Sequence, residues 1–200
     1  MKQTPPLRGT LLASAAVAGL TMAAAPASAE IPVEVLARPC AGCHGVDGSS
    51  MGPATPTIAG MSKDYFEWSM ESYVDGHRPN TVMSRIAKGY TEEQVSRMAD
   101  YFNAQPFQRI DQPFDKKLAE RGAEIARTYC SDCHEQQGRE SEGAGILAGQ
   151  MLPYMEWSTT DFLSGDRDME RRQARAFRKL EAAEGREGFS AALNFYASQR

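Results

Sequence analysis

Cysteine and histidine are scarce in this chain of 200 residues, which has four of the first and three of the second. No cysteine lies outside two pentapeptides, Cys40-Ala41-Gly42-Cys43-His44 and Cys130-Ser131-Asp132-Cys133-His134. These also hold all the histidine except His77. Special chemistry is therefore confined to two places. Beyond the first thirty residues no run is apolar enough for a bilayer span of ~20 residues, so the mature chain has no membrane span. Cations are in deficit as well: 22 Lys and Arg face 26 Asp and Glu. That balance makes nucleic acid an unlikely partner and favours docking to a basic or mixed surface.

The N-terminus reads as an export signal. Lys2 and Arg8 form a positive head, Leu11 to Ala25 is apolar and rich in alanine, and Ala27-Ser28-Ala29 offers a cleavage site. The alternative, a retained anchor, suits the shortness of the run less well. Cleavage after Ala29 places residues 30–200 in the periplasm. The loss of Lys2 and Arg8 brings the net charge to about −6. What remains fits two domains of about 80 residues, too small to bury much of their own surface without a staple.

Cys-x-x-Cys-His supplies such a staple. It is the attachment site of a c-type haem, with both sulfurs held as thioethers and the histidine on the iron. One copy alone could be half a zinc site or a redox dithiol. Two copies that use every cysteine point to two covalently attached haem c groups. A third reading pairs the four cysteines in two disulfides, which leaves the following histidines without a role.

The chain also repeats itself. Ile58-Ala59-Gly60 answers Leu147-Ala148-Gly149, and Tyr65-Phe66-Glu67-Trp68-Ser69 answers Tyr154-Met155-Glu156-Trp157-Ser158. Gly76-His77-Arg78 answers Gly165-Asp166-Arg167, and Tyr101 to Gln105 resembles Phe195 to Gln199. One haem domain is duplicated: 30–104, a linker 105–115, and 116–200. Helical spacing predicts helices over Asp115–Tyr129, Ser62–Val74 and Pro153–Leu163. A capping box at Thr91 and Gln94 opens the helix that closes the first domain, whose stripe is Val95, Met98, Ala99 and Phe102. Phe189, Ala192, Leu193 and Tyr196 close the second. Gly122 is placed to let another helix approach. The linker, with Pro106, Phe107, Pro113 and Phe114, reads as a fixed strap.

These features resemble the class I cytochromes c, and in tandem form the dihaem cytochromes of the c4 type. Arg78-Pro79, Thr81-Val82-Met83, Arg85 to Thr91, Ala104 to Phe107, Gln112 to Asp115 and Gly145 to Gln150 look like the cytochrome subunit of flavocytochrome c sulfide dehydrogenase. The resemblance implies an all-α fold of two tandem class I cytochrome c domains. It also implies thioether bonds at Cys40, Cys43, Cys130 and Cys133, iron ligation by His44 and His134, and a Pro56 carbonyl that holds the His44 ring. Met83 is read as the sixth ligand of the first haem, since methionine sulfur suits electron transfer. The second domain departs from the pattern: repeat alignments place Arg172, Gln173 or Phe177 opposite Met83. Met169 is taken as the ligand, with Gln173, water or no ligand as alternatives.

The implied function is electron transfer by a periplasmic haem subunit that accepts electrons from a sulfide-oxidising flavoprotein. FAD belongs to that partner, and the acceptor is a soluble or membrane-bound carrier. This chain would not itself be the catalytic part. The alternatives are a freestanding dihaem carrier to a terminal oxidase and, if the second iron lacks a strong sixth ligand, a haem enzyme or ligand binder. His77 reads as a solvated loop residue, Trp68 and Trp157 as helix packing. The charged run Arg167–Lys179 reads as an exposed helix surface, or else a docking patch.

Overall fold

Helices account for the regular structure of the computed structural model, which describes residue 1, residues 30–140 and residues 143–200. The export-signal reading falls on residues 2–29, outside the described residues. No strand occurs among the described residues; one isolated bridge pairs Glu135 with Glu140. Residues 31–200 form one contact unit.

The first half starts with the short helix α1 (Val33–Ala37), a 3-10 turn at Arg38–Cys40, and α2 (Ala41–His44), so that the first motif runs from the end of the turn through α2. Helix α3 (Lys63–Asp75) follows, then α4 (Met83–Ile86) and α5 (Glu92–Asn103). The predicted capping box opens α5: the Thr91 hydroxyl accepts from the Gln94 amide, and the Gln94 side chain accepts from the Thr91 amide. Met98, Ala99 and Phe102 on its stripe are buried. Phe66 of α3 stacks on Phe102 at 5.6 Å. Burying each of these rings contributes about 1.5–3 kcal/mol.

The second half opens with α6 (Lys116–Tyr129), capped by the Asp115 carboxylate on the amides of Lys117 and Leu118. The second motif leads into the short distorted turn α7 (Glu135–Gly138), and α8 (Leu152–Ser164) and α9 (Arg171–Ser198) complete the chain. Gly122 does what its position suggests. A Cβ there would sit 1.9 Å from the Ala191 carbonyl oxygen and 2.9 Å from Phe195 Cβ, so α6 and α9 meet backbone to backbone. The charged run and the closing apolar stripe, separate features in the sequence, are one element. Gly185 breaks its helical path with φ 63 and ψ −162, a conformation glycine adopts without steric cost.

Backbone hydrogen bonds reproduce the repeat. Ile58 and Ala59 donate to Gly48, as Leu147 and Ala148 donate to Gly138. Gly60 donates to Phe102 at 2.8 Å, as Gly149 donates to Tyr196 at 2.8 Å. The segment between the halves is a strap held by polar bonds more than by its phenylalanines. Gln108 donates to Ser49, Arg109 to the Ala148 carbonyl, and Gln112 exchanges bonds with Gln150 and Leu152. Phe114 packs on the second core.

Candidate haem-attachment sites

In the first half, α2 directs the His44 ring inward, and its Nδ1–H donates to the Pro56 carbonyl at 2.8 Å. A carbonyl only accepts, so this bond fixes the tautomer and leaves Nε2 with a lone pair. Burial lowers the basicity of His44; the Pro56 carbonyl opposes this and the Arg78 charge adds to it. Cys40 and Met83 both pack against the same core as Leu36, Phe66, Met98 and Phe102. Met83 is held at the start of α4 by Asn80, whose side-chain oxygen accepts from the amides of Val82 and Met83. The structure thus brings Cys40 and Met83 onto one core, with the buried His44 ring on the turn that follows Cys40. Met51 is 76% exposed, while Met70 and Met98 are core residues.

The second motif lies in a turn rather than a helix, closed by the amides of Cys133 and His134 on the Cys130 carbonyl, and its surroundings differ as well. Cys130 packs with Met155, Tyr196 and Ala197. Burial pushes its thiol up to about 11, against the nearby Tyr196 hydroxyl. Burial also pushes His134 down to about 4, opposed by the Gly145 carbonyl. Yet the buried His134 Nδ1 makes no hydrogen bond of good geometry. Glycine stands where the first half has Pro56, and a Cβ on it would press on the Tyr65 ring at 3.2 Å. Met169 does not join the Cys130 core. It lies in a hollow with Arg171, Ala174, Arg175 and Arg178. Gln173 is half-buried on the same stretch of α9.

The halves meet through crossed polar bonds that reasoning from the sequence missed. Arg78 donates to Tyr154 Oη at 2.7 Å and to Ser69 Oγ at 3.2 Å. Arg167 donates to Tyr65 Oη at 3.1 Å and to Ser158 Oγ. Each arginine also lies over a ring of its own half, Tyr73 and Phe162 respectively. Thr57 and Gln150 exchange two bonds, of 2.9 and 3.0 Å. His77 is an exposed loop residue, as expected, and its ring also bonds the Asp168 carboxylate across the same seam at 2.7 Å. Trp68 stacks on Tyr65 as a packing residue. Trp157 departs from that expectation and is 56% exposed. The usable signal was the repeat: Tyr65, Ser69 and Arg78 recur as Tyr154, Ser158 and Arg167.

A haem c group suits these residues better than the other readings do. All four cysteines are free thiols. Among the described residues no three His, Cys, Asp or Glu side chains gather as a metal cage. Arg78 and Arg167 are only 7% and 3% exposed and, among the described residues, pair with no carboxylate; the buried Arg167 Nε has no partner. Buried cations of this kind fit a prosthetic group that carries its own carboxylates. No helix among the described residues is long and apolar enough to cross a membrane.

Comparison with known proteins agrees. The family model for cytochrome c matches residues 33–105. The cytochrome subunit of sulfide dehydrogenase from Chlorobaculum tepidum is 46% identical over 69 residues, which is 34% of this chain and 62% of that protein. Cytochrome c4 of Pseudomonas aeruginosa is 30% identical over 167 residues, 79% of this chain and 81% of that one. The crystal structure of cytochrome c4 from Pseudomonas stutzeri superposes with a TM-score of 0.71 at 22% identity, covering 84% of this chain and 97% of that one. With both motifs, the repeat and the all-helical fold in place, the chain belongs to the class I cytochromes c, as a tandem, cytochrome c4-like electron-transfer protein.

Proposed function

We propose that this chain is a periplasmic dihaem subunit that accepts electrons from a sulfide-oxidising flavoprotein and passes them to a soluble or membrane-bound carrier. Residues 30–104 and 116–200 each hold one group, joined by 105–115. Cys40, Cys43, Cys130 and Cys133 form the thioethers, and His44 and His134 ligate iron, with Met83 completing the first site and Met169 the second. Haem c, when bound, supplies one-electron iron chemistry to a fold that has no redox centre of its own. A flavin that takes up a hydride releases two electrons, so two one-electron sites in one body match such a donor.

The observation that carries this reading is the His44 tether to Pro56 beside a free cysteine pair, with Met83 on the same core. The partial likeness to a sulfide dehydrogenase subunit supports the choice of donor. FAD belongs to the partner, and the isolated chain has no sulfide-oxidising activity. The test is a pyridine haemochrome count on exported protein, followed by affinity capture of the tagged chain. Two haems per chain and a co-purifying flavin-bearing subunit are expected; two haems with no flavin would leave a freestanding carrier to a terminal oxidase. The open hollow around Met169 favours one second reading, a second iron that binds an exogenous ligand. Carbon monoxide binding by the reduced protein at one haem would establish it. Methionine-to-iron charge transfer at both haems would dismiss it.

A further inference from the structure

The first turns of α9 are unlike any other surface of the molecule. Arg171, Arg172, Arg175, Arg178 and Lys179 are all exposed, within nine residues that contain no acid. Among the described residues none of the five forms an ion pair. Farther along, Arg121 pairs with Glu184 and Glu187, and Arg186 with Glu181. Five unpaired cations in a chain of net charge −4 repel one another, and their clustering contributes nothing to folding.

Two hollows flank Arg175. One, of about 300 Å³, runs from Arg172 and Lys179 to Thr128, Tyr129 and Asp132, residues that immediately adjoin Cys130 and Cys133. The other, of about 470 Å³, holds Met169, Arg171 and Arg178. Among the described residues Asp132 is the one acid lining either hollow.

We propose that this face is the docking surface for an acidic redox protein, with carboxylate side chains of that partner paired to the exposed guanidinium groups around Arg175. Charge complementarity selects the occupant. An acidic partner is repelled by the remainder of a net-negative chain, so the basic face both attracts it and orients it. The orientation matters because the first hollow ends at the second Cys-x-x-Cys-His motif. A partner seated there is next to the second haem and away from the first. Guanidinium forks suit carboxylates because they bind them with two parallel bonds.

This inference rests on the second motif carrying haem, so the test begins with a haem count. A chain with fewer than two haems would overturn the proposed function, whereas the mapping reads the surface itself. Decaglutamate is titrated into the fully loaded, isotope-labelled protein at low ionic strength. Amide shifts confined to Arg171–Lys179 and Thr128–Asp132, abolished by salt and by Arg175→Glu/Arg178→Glu, are expected. Oxidation of the reduced protein by hexacyanoferrate(III), itself an anion, should slow by about tenfold in that variant at low salt. Lys116→Glu/Lys117→Glu, the same charge change at the start of α6, should stay within about twofold of the parent. Equal slowing by both variants would make the effect one of net charge and overturn the proposal. So would shifts at other residues, or binding to phosphatidylglycerol vesicles without any response to the peptide.

Discussion

Replacing Gly122 by alanine tests the packing on which the second half depends. The added methyl would lie 1.9 Å from the Ala191 oxygen and 2.5 Å from its carbonyl carbon. To reach ordinary contact, α6 and α9 must separate by about 1.5 Å, and at that gap many neighbouring contacts lose much of their attraction. Overpacking of this kind costs about 1–3 kcal/mol, and the upper end applies because the obstacle is helix backbone, which cannot swing aside as a flexible side chain would. Alanine returns about 1 kcal/mol through its better helix propensity. The net loss is about 1–2 kcal/mol, roughly 2–8 °C in Tm for a chain of this size. Denaturant unfolding of the haem-loaded protein measures it, with hydrogen exchange to locate it. Protection should fall in α6 and α9 and hold in α5. Gly89, where an added Cβ meets nothing within 4 Å, is the control: Gly89→Ala should be neutral. A Gly122→Ala protein as stable as its parent would refute the close helix crossing.

Other perturbations separate the remaining contributions. Tyr154→Phe removes the hydroxyl that receives Arg78 and should cost about 1.5–3 kcal/mol, the worth of a hydrogen bond to a charged group; Tyr65→Phe should do the same to Arg167. Thr91→Ala removes one side of the capping box and should lower stability by about 1 kcal/mol in urea unfolding. Burial pushes Tyr73 up to about 12 against an ordinary value of 10.0. The unfolded chain therefore loses this proton first, and the stability it contributes is complete below pH 10 and drains away as pH rises toward about 12. Unfolding measured at about pH 9 and about pH 11.5 should show a loss of order 2 kcal/mol that Tyr73→Phe reduces.

Much of the architecture was legible because its determinants are local. Helices α3, α5, α6 and α8 follow from apolar spacing, caps and proline within one stretch of chain, and the pentapeptide sets its own turn. The duplication extended that reading to the closing stripe of α9, and the bonds of Gly60 and Gly149 recur at the paired positions. The seam between the halves was not legible, because its bonds join distant residues: 76 positions separate Arg78 from Tyr154, and 102 separate Arg167 from Tyr65. No periodicity reports such a pair. Trp157 departs from its repeat counterpart: Trp68 stacks on Tyr65, whereas Trp157 is 56% exposed, and a repeat in the sequence does not report that difference. The strap was expected to be packed by its phenylalanines, and polar bonds from Gln108, Arg109 and Gln112 hold it more than those rings do.

The seam also explains how two small helical units stay together despite a buried polar contact. Two guanidiniums withdrawn from water cost several kcal/mol each unless they are neutralised, and tyrosine and serine hydroxyls supply dipoles but no opposing charge. On hydroxyls alone, closing the halves is opposed by desolvation. A prosthetic group that carried carboxylates to Arg78 and Arg167 would change the sign, because it would give two isolated cations opposing charges. On the proposed assignment, loading of the groups and closure of the seam are one coupled event. The crossed pattern then has a consequence beyond stability. Each arginine belongs to one half and bonds the tyrosine of the other, so neither half can shift without breaking a buried charged hydrogen bond. With one haem in each half, as proposed, that arrangement would hold the two centres at a fixed separation, which an electron relay requires and a flexible tether would not provide.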